Sequence, residues 1–175
     1  MADLNESLID RFYGAFAQRD GAAMAACYAS DVSFSDPVFP DLRGPEAGAM
    51  WRMLTGRATD LRVELLDREA DGDLGSAHWR ALYTFTQTGR PVVNDVHASF
   101  RFADGLIMVH RDEFDFYRWA RQALGPRGAI LGWTPIVKSA VRRRARASLD
   151  EFMAQPSAGA ASSEAEGTSD GSDGT

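Results

Sequence analysis

The stretch PVVNDVHASFRFADGLIMVHRDEFDF, residues 91–116, decides the fold. Its first half alternates Asn94, Val96, Ala98, Phe100 and Phe102 with His97, Ser99 and Arg101. Asp104-Gly105 is a two-residue hairpin signal, and beyond it His110, Asp112, Phe114 and Phe116 alternate with Arg111, Glu113 and Asp115. A period of two is the pattern of strands, whose successive side chains point to opposite faces. The segment therefore predicts two antiparallel strands, 91–103 and 106–116. Arg111, Glu113 and Asp115 require water, so His110 and Asp112 are expected on the opposite, apolar face, while His97 lies outside.

Toward the N-terminus the same period continues. Residues 61–69 and 76–88 read as strands, bounded by Asp71-Gly72 and Thr88-Gly89. Trp79, Ala81, Tyr83 and Phe85 share the inner face; His78 and Arg80 do not. Before residue 60 the apolar spacing is helical. Leu4, Leu8, Phe12, Ala15 and Phe16 mark one helix, residues 22–28 a short second one, and Pro45 opens a third that carries Met50, Trp51 and Leu54 to Gly56. Between the second and third, residues 32–35 alternate as a strand closed by Asp36-Pro37, and a loop runs through Gly44. Helices followed by a meander define an α+β domain: a cone-shaped, curved antiparallel sheet covered by N-terminal helices.

Toward the C-terminus, residues 116–124 read as a helix, GPRGAILGWTP (125–135) as an apolar loop, and 136–153 as an amphipathic helix with Ile136, Val137, Val141, Leu149 and Phe152 on its apolar side. The expected organisation is a cone domain over 1–125, a loop and helix packed on it over 126–155, and a disordered acidic tail over 156–175 whose small, charged residues cannot offset the entropy of ordering.

Composition bounds the partners. The chain has 175 residues, 45% hydrophobic, with a formal net charge of −6. Glu164, Glu166, Asp170 and Asp173 of the tail supply four of those charges, so the remainder is nearly balanced. The only basic cluster, Arg142, Arg143, Arg144 and Arg146, is expected to be the solvated side of a helix, and no nucleic-acid partner is expected. No apolar run reaches the ~20 residues of a membrane span. A cytoplasmic protein is expected. Cys27 is the single cysteine, so there is no internal disulfide and no cysteine-based metal site.

A carboxylate on an apolar face either shifts its pKa or takes a partner, and such groups concentrate at functional sites. Asp112 and His110 are thus candidates for acid/base chemistry, with a satisfied His–Asp pair at the strand rim as the bland alternative. Asp36 is a third, with ordinary Asp-Pro turn chemistry as its alternative. Trp51, Trp79, Tyr83, Phe100 and Phe114 would supply apolar walls or plain core.

In their order and spacing, FYGAFAQRD, YASDVSFSDPV, RGPEA, TGRP and SFRFADGLIMVHRDEFD resemble the nuclear transport factor 2-like superfamily, in particular its ketosteroid isomerase and SnoaL-like polyketide cyclase group. The resemblance spans about residues 4–116. It implies that Asp36, followed by Pro37, matches the catalytic base of ketosteroid isomerase. The tyrosine and protonated aspartic acid of that enzyme's oxyanion hole match Phe12 and Ala98, which donate no hydrogen bond. Losing one such donor costs about 10²–10³ in rate, so an efficient ketosteroid isomerase is not expected. His110-Arg111-Asp112 is similar to the His-Trp-Asp of SnoaL-like cyclases, which implies Asp112 as general acid/base with His110 tuning it. The superfamily's epoxide hydrolases use an Asp-Arg-Asp relay, for which no inward arginine stands out.

Two functions follow as expectations. One is a cofactor-free isomerase or cyclase acting on a small hydrophobic carbonyl compound, with catalytic Asp36, Asp112 and His110, and with Phe12, Trp51, Trp79, Tyr83, Ala98, Phe100 and Phe114 around the substrate. The other is a non-catalytic pocket or dimerisation module on the same fold. A homodimer is expected; no metal or cofactor is.

Overall fold

The computed structural model describes residues 2–155; the predicted acidic tail lies outside them. Helix α1 (Ala2–Ala17) is followed by a turn in which Arg19, with a φ of 58°, reverses the chain. Asp20 then caps α2 (Gly21–Ala25) by accepting from the Ala23 amide at 2.9 Å. Strand β1 (Tyr28–Ser35) begins at Tyr28, which the sequence places at the end of α2, and a two-residue β2 (Leu42–Arg43) occupies the expected loop. Gly44, at φ 50°, leads into α3 (Pro45–Arg57) with Pro45 in the first turn. A side chain at Gly44 would meet the Ser30 carbonyl at 2.7 Å, so only glycine fits.

The meander is β3 (Arg62–Asp71), β4 (Leu74–Phe85), β5 (Arg90–Ala103) and β6 (Leu106–Glu113). Asp104 and Gly105 both have positive φ, 52° and 74°, as a type I′ hairpin requires. The sheet order is β2-β1-β6-β5-β4-β3. One pairing departs from the antiparallel expectation: β1 runs parallel to β6, with Phe34 beside His110. The long helical connection through α3 and the meander makes that parallel return feasible.

Beyond the sheet, Asp115 caps α4 (Phe116–Leu124), accepting from the Arg118 amide at 3.0 Å. Residues 126–131, expected as loop, form helix α5 (Pro126–Leu131), because Pro126 suits a first helical position and Gly125 supplies φ 63°. Thr134 caps α6 (Pro135–Ala154). Leu149 of α6 is fully buried in the main core, with Ala145 and Phe152 packed against it. Ile136, expected on the apolar side, is 78% exposed because the helix meets the domain only from Val137 onward. Arg146 bridges to Glu46 of α3 at 2.5 Å, and the Arg142 guanidinium donates to the Pro37 carbonyl at 3.0 Å, fastening α6 over the Asp36 loop.

Candidate functional site

The period-two pattern of β6 carries through to burial: His110 is 0% and Asp112 3% exposed. His110 sits in an aromatic box of Phe12, Phe34, Trp51 and Phe100, with ring centroids 4.5 to 6.2 Å from its own. Its polar atoms are all used. Trp51 Nε1 donates to Tyr28 Oη at 2.7 Å, Tyr28 Oη lies 2.7 Å from His110 Nδ1, and His110 Nε2 lies 3.0 Å from Asp112 Oδ1. An indole can only donate. Tyr28 therefore accepts from Trp51 and spends its own proton on Nδ1, which leaves the imidazole proton on Nε2, aimed at Asp112. Trp79 Nε1 adds a longer contact to the same carboxylate oxygen, at 3.4 Å. Burial pushes the Tyr28 phenol well above its usual range, so it stays a donor.

Asp112 also faces a cavity of about 320 Å³. Its wall is largely apolar: Phe16, Phe39, Met50, Trp51, Trp79, Ala81, Val96, Phe114 and Trp119, closed on one side by Val141 and Ala145 of α6. Asp36 lines the same space. It is half-buried, and its Oδ1 accepts from the amides of Val38 at 2.6 Å and Phe39 at 2.5 Å; no described residue donates to Oδ2. The turn chemistry and the cavity position thus coexist. Burial is the main reason its pKa rises from 3.8 to about 7; the Asp112 charge adds to the rise, while the two amides and Arg142 oppose it.

Tyr83 is a second cavity group whose chemistry the sequence concealed. Trp119 Nε1 donates to Tyr83 Oη at 2.9 Å, and the phenol proton has no acceptor among the described residues. It lies close enough to Asp36 for that carboxylate's charge, after desolvation, to raise the phenol pKa. Asn94 lines the cavity as well. The Tyr83–Trp119 bond joins β4 to a helix 36 residues later, and no local pattern announces it.

The expected site residues therefore divide. Asp36, Asp112, Trp51, Trp79, Tyr83 and Phe114 line one cavity; Phe12, Ala98 and Phe100 do not. Phe12 and Phe100 are buried against His110, and Ala98 sits opposite Asp112 in the β5–β6 register, beneath the cavity wall. His110 touches the site only through Asp112. The cavity arginines, Arg57 and Arg144, bond to neither carboxylate, and the partners of Asp112 are His110 and Trp79.

One buried polar atom is unsatisfied among the described residues, the Tyr13 hydroxyl. It lies near Trp79, ring centroids 5.8 Å apart, outside the cavity wall. An unpaired buried hydroxyl costs about 1–3 kcal/mol. Tyr13→Phe is accordingly expected to melt at or above the wild-type temperature; a drop of several degrees by calorimetry would mean that the hydroxyl has a partner.

The SnoaL-like domain family model matches residues 9–110, more than half of the chain, and the protein belongs to that family. Among solved structures, an LEH-like epoxide hydrolase of M. tuberculosis shares 22% identity, with a TM-score of 0.60, over 74% of this chain and 94% of its own. A proposed polyketide cyclase from Xanthomonas campestris pv. campestris shares 22% identity, TM-score 0.57, over 70% and 98%. A protein of ketosteroid isomerase-like fold from Catenulispora acidiphila, in complex with trimethylamine, shares 16%, TM-score 0.61, over 73% and 97%. At these identities the likeness is one of fold. No curated protein sequence matches the chain. No helix among the described residues is long and apolar enough to cross a membrane.

Proposed function

We propose that the protein is a cofactor-free acid/base enzyme for a small, largely apolar ketone, catalysing isomerisation or ring closure through an enolate. The supporting observation is that Asp36, with a pKa of about 7 and a free Oδ2, shares a largely apolar cavity with the unspent Tyr83 hydroxyl proton. Asp36 Oδ2 takes the proton α to the carbonyl, the C–H electron pair moves into the enolate, and negative charge collects on oxygen. Tyr83 donates to that oxygen, its O–H polarised by the Trp119 bond, and so replaces the donors absent at Phe12 and Ala98. In isomerisation protonated Asp36 returns the proton to carbon; in ring closure the enolate carbon attacks a second carbonyl, whose π pair moves to its oxygen, and that oxygen takes the proton from Asp36. Burial holds the proton affinity of Asp36 close to neutrality, where a general base works best, and the charge of Asp112, which His110 holds in place, adds to the rise.

The cavity's volume, about 320 Å³, suits one small compound. Hydrolysis of an epoxide is less supported, because no arginine joins the two carboxylates. A binding module has one observation in its favour, the double amide clamp on Asp36 Oδ1.

The test is α-proton exchange. Steroid and polyketide ketones incubated in D₂O with the protein are expected to take up deuterium above the buffer rate, read by mass spectrometry. The pH profile should rise to a midpoint near 7. Asp112→Asn removes a negative charge beside Asp36, so its midpoint is expected at lower pH. Absence of exchange with ligands that demonstrably bind would leave the binding module.

A further inference from the structure

The outer face of the sheet carries a second cluster, remote in character from the cavity. His78 of β4 stands directly opposite His97 of β5, and Asp95 lies two residues before His97 on the same strand face. The two imidazoles stack with centroids 4.3 Å apart and planes 12° from parallel. His78 Nε2 is 2.5 Å from Asp95 Oδ1, and one ligand atom from each of the three residues lies within 4.8 Å of the others. The geometry points to a binding site for a single divalent cation of the zinc, nickel or copper class, held by His78, His97 and Asp95.

The ligand chemistry fits that class. Two imidazoles and one carboxylate match the donor sets of open zinc sites, and imidazole favours these metals over magnesium or calcium. Ligands at about 2.0–2.2 Å from a tetrahedral ion lie roughly 3.3 Å from one another. Binding therefore requires the 2.5 Å His78–Asp95 contact to open and the wider separations, up to 4.8 Å, to close, a rearrangement of side chains for which the exposed His97 has room. Asp95 is already oriented: Arg80 donates to Oδ2 from Nε at 3.2 Å and Nη2 at 3.1 Å, leaving Oδ1 toward the histidines. A hydrogen-bonded second oxygen is the usual support of a ligating carboxylate. The same guanidinium places a positive charge beside the ion and weakens binding, but Glu64, 3.8 Å from Arg80 Nη1, offsets part of that charge. Three protein ligands leave at least one position for water or a group from another molecule.

The chain's composition makes the test clean. It has three histidines and one cysteine; the third histidine, His110, and Cys27 are both fully buried. Full-length protein with any affinity tag removed, dialysed against zinc and assayed by elemental analysis and titration calorimetry, is expected to take up one zinc per chain. His97→Ala and His78→Ala are each expected to weaken uptake at least tenfold. The metal-free melting temperature of His97→Ala should equal that of the wild type, since among the described residues the exposed His97 side chain makes only the ring stack with His78, so a loss there is a loss of ligation and not of fold. No uptake by the wild type, or uptake unchanged in either variant, overturns the assignment. Deuterium exchange at the cavity is read separately, so neither result depends on the other.

Discussion

Asp36→Asn is expected to abolish α-proton exchange while making the protein more stable at pH 8. The first half rests on position and proton affinity: Asp36 lines the cavity with Oδ2 free of described donors and a pKa of about 7, and removing a general base costs about 10²–10⁴ in rate. The second half follows from linkage. The folded-state pKa of about 7 exceeds the ordinary 3.8, so between those values the folded protein binds more protons than the unfolded chain, and stability falls as pH rises through that window. Each pH unit contributes about 1.4 kcal/mol, and the edge open to the cavity reduces the whole to about 1–3 kcal/mol at pH 8. Asparagine carries no charge to bury, and its Oδ1 still accepts from the Val38 and Phe39 amides. Urea titrations at pH 5 and pH 8 measure the effect: the variant's gain over wild type should be largest at pH 8 and shrink to less than half of that at pH 5. Wild-type exchange rates in the variant would take Asp36 out of the mechanism, and equal stability at both pH values would mean that its carboxyl is not held near neutrality.

Such a trade, stability given up where a charge is kept in an apolar cavity, also explains what the sequence could disclose. The alternation in residues 91–116 placed His110 and Asp112 inside because a strand has only two faces, and three charged neighbours occupied the other. That constraint is local and needs no partner. The pairing of β1 with β6 is not local: it joins Phe34 to His110 across 76 residues, and parallel strands carry no turn between them to announce the register. Tyr28 was hidden for the same reason. Its neighbours suggested the end of a helix, yet its hydroxyl meets His110, 82 residues away. Tyr83 was legible as a wall but not as a donor, since that role depends on Trp119. Phe12 and Phe100 illustrate the reverse error. Their inward direction is right, but side chains that point into a cone can end in its packed base, around His110, and not in its open part.

His110→Ala is expected to be the most destabilising single change near the site, and it distinguishes a structural relay from a catalytic group. The substitution leaves a hole among four aromatic rings, strands the Tyr28 hydroxyl proton, and leaves the inner oxygen of Asp112 with only the longer Trp79 contact at 3.4 Å. Removing one partner of a buried pair costs about 3–5 kcal/mol, which in a chain of this size lowers the melting temperature by on the order of 10 °C. Asp112→Asn provides the control, because an amide oxygen still accepts from His110 Nε2 and Trp79 Nε1; its cost should be about 1 kcal/mol or less. Tyr28→Phe falls between them, since it frees His110 Nδ1 and Trp51 Nε1 at once. Thermal melts of the three variants should therefore rank His110→Ala lowest, Tyr28→Phe next and Asp112→Asn near wild type. A collapse of Asp112→Asn to the level of His110→Ala would show that the carboxylate's charge, and not its acceptor oxygen, holds the relay together.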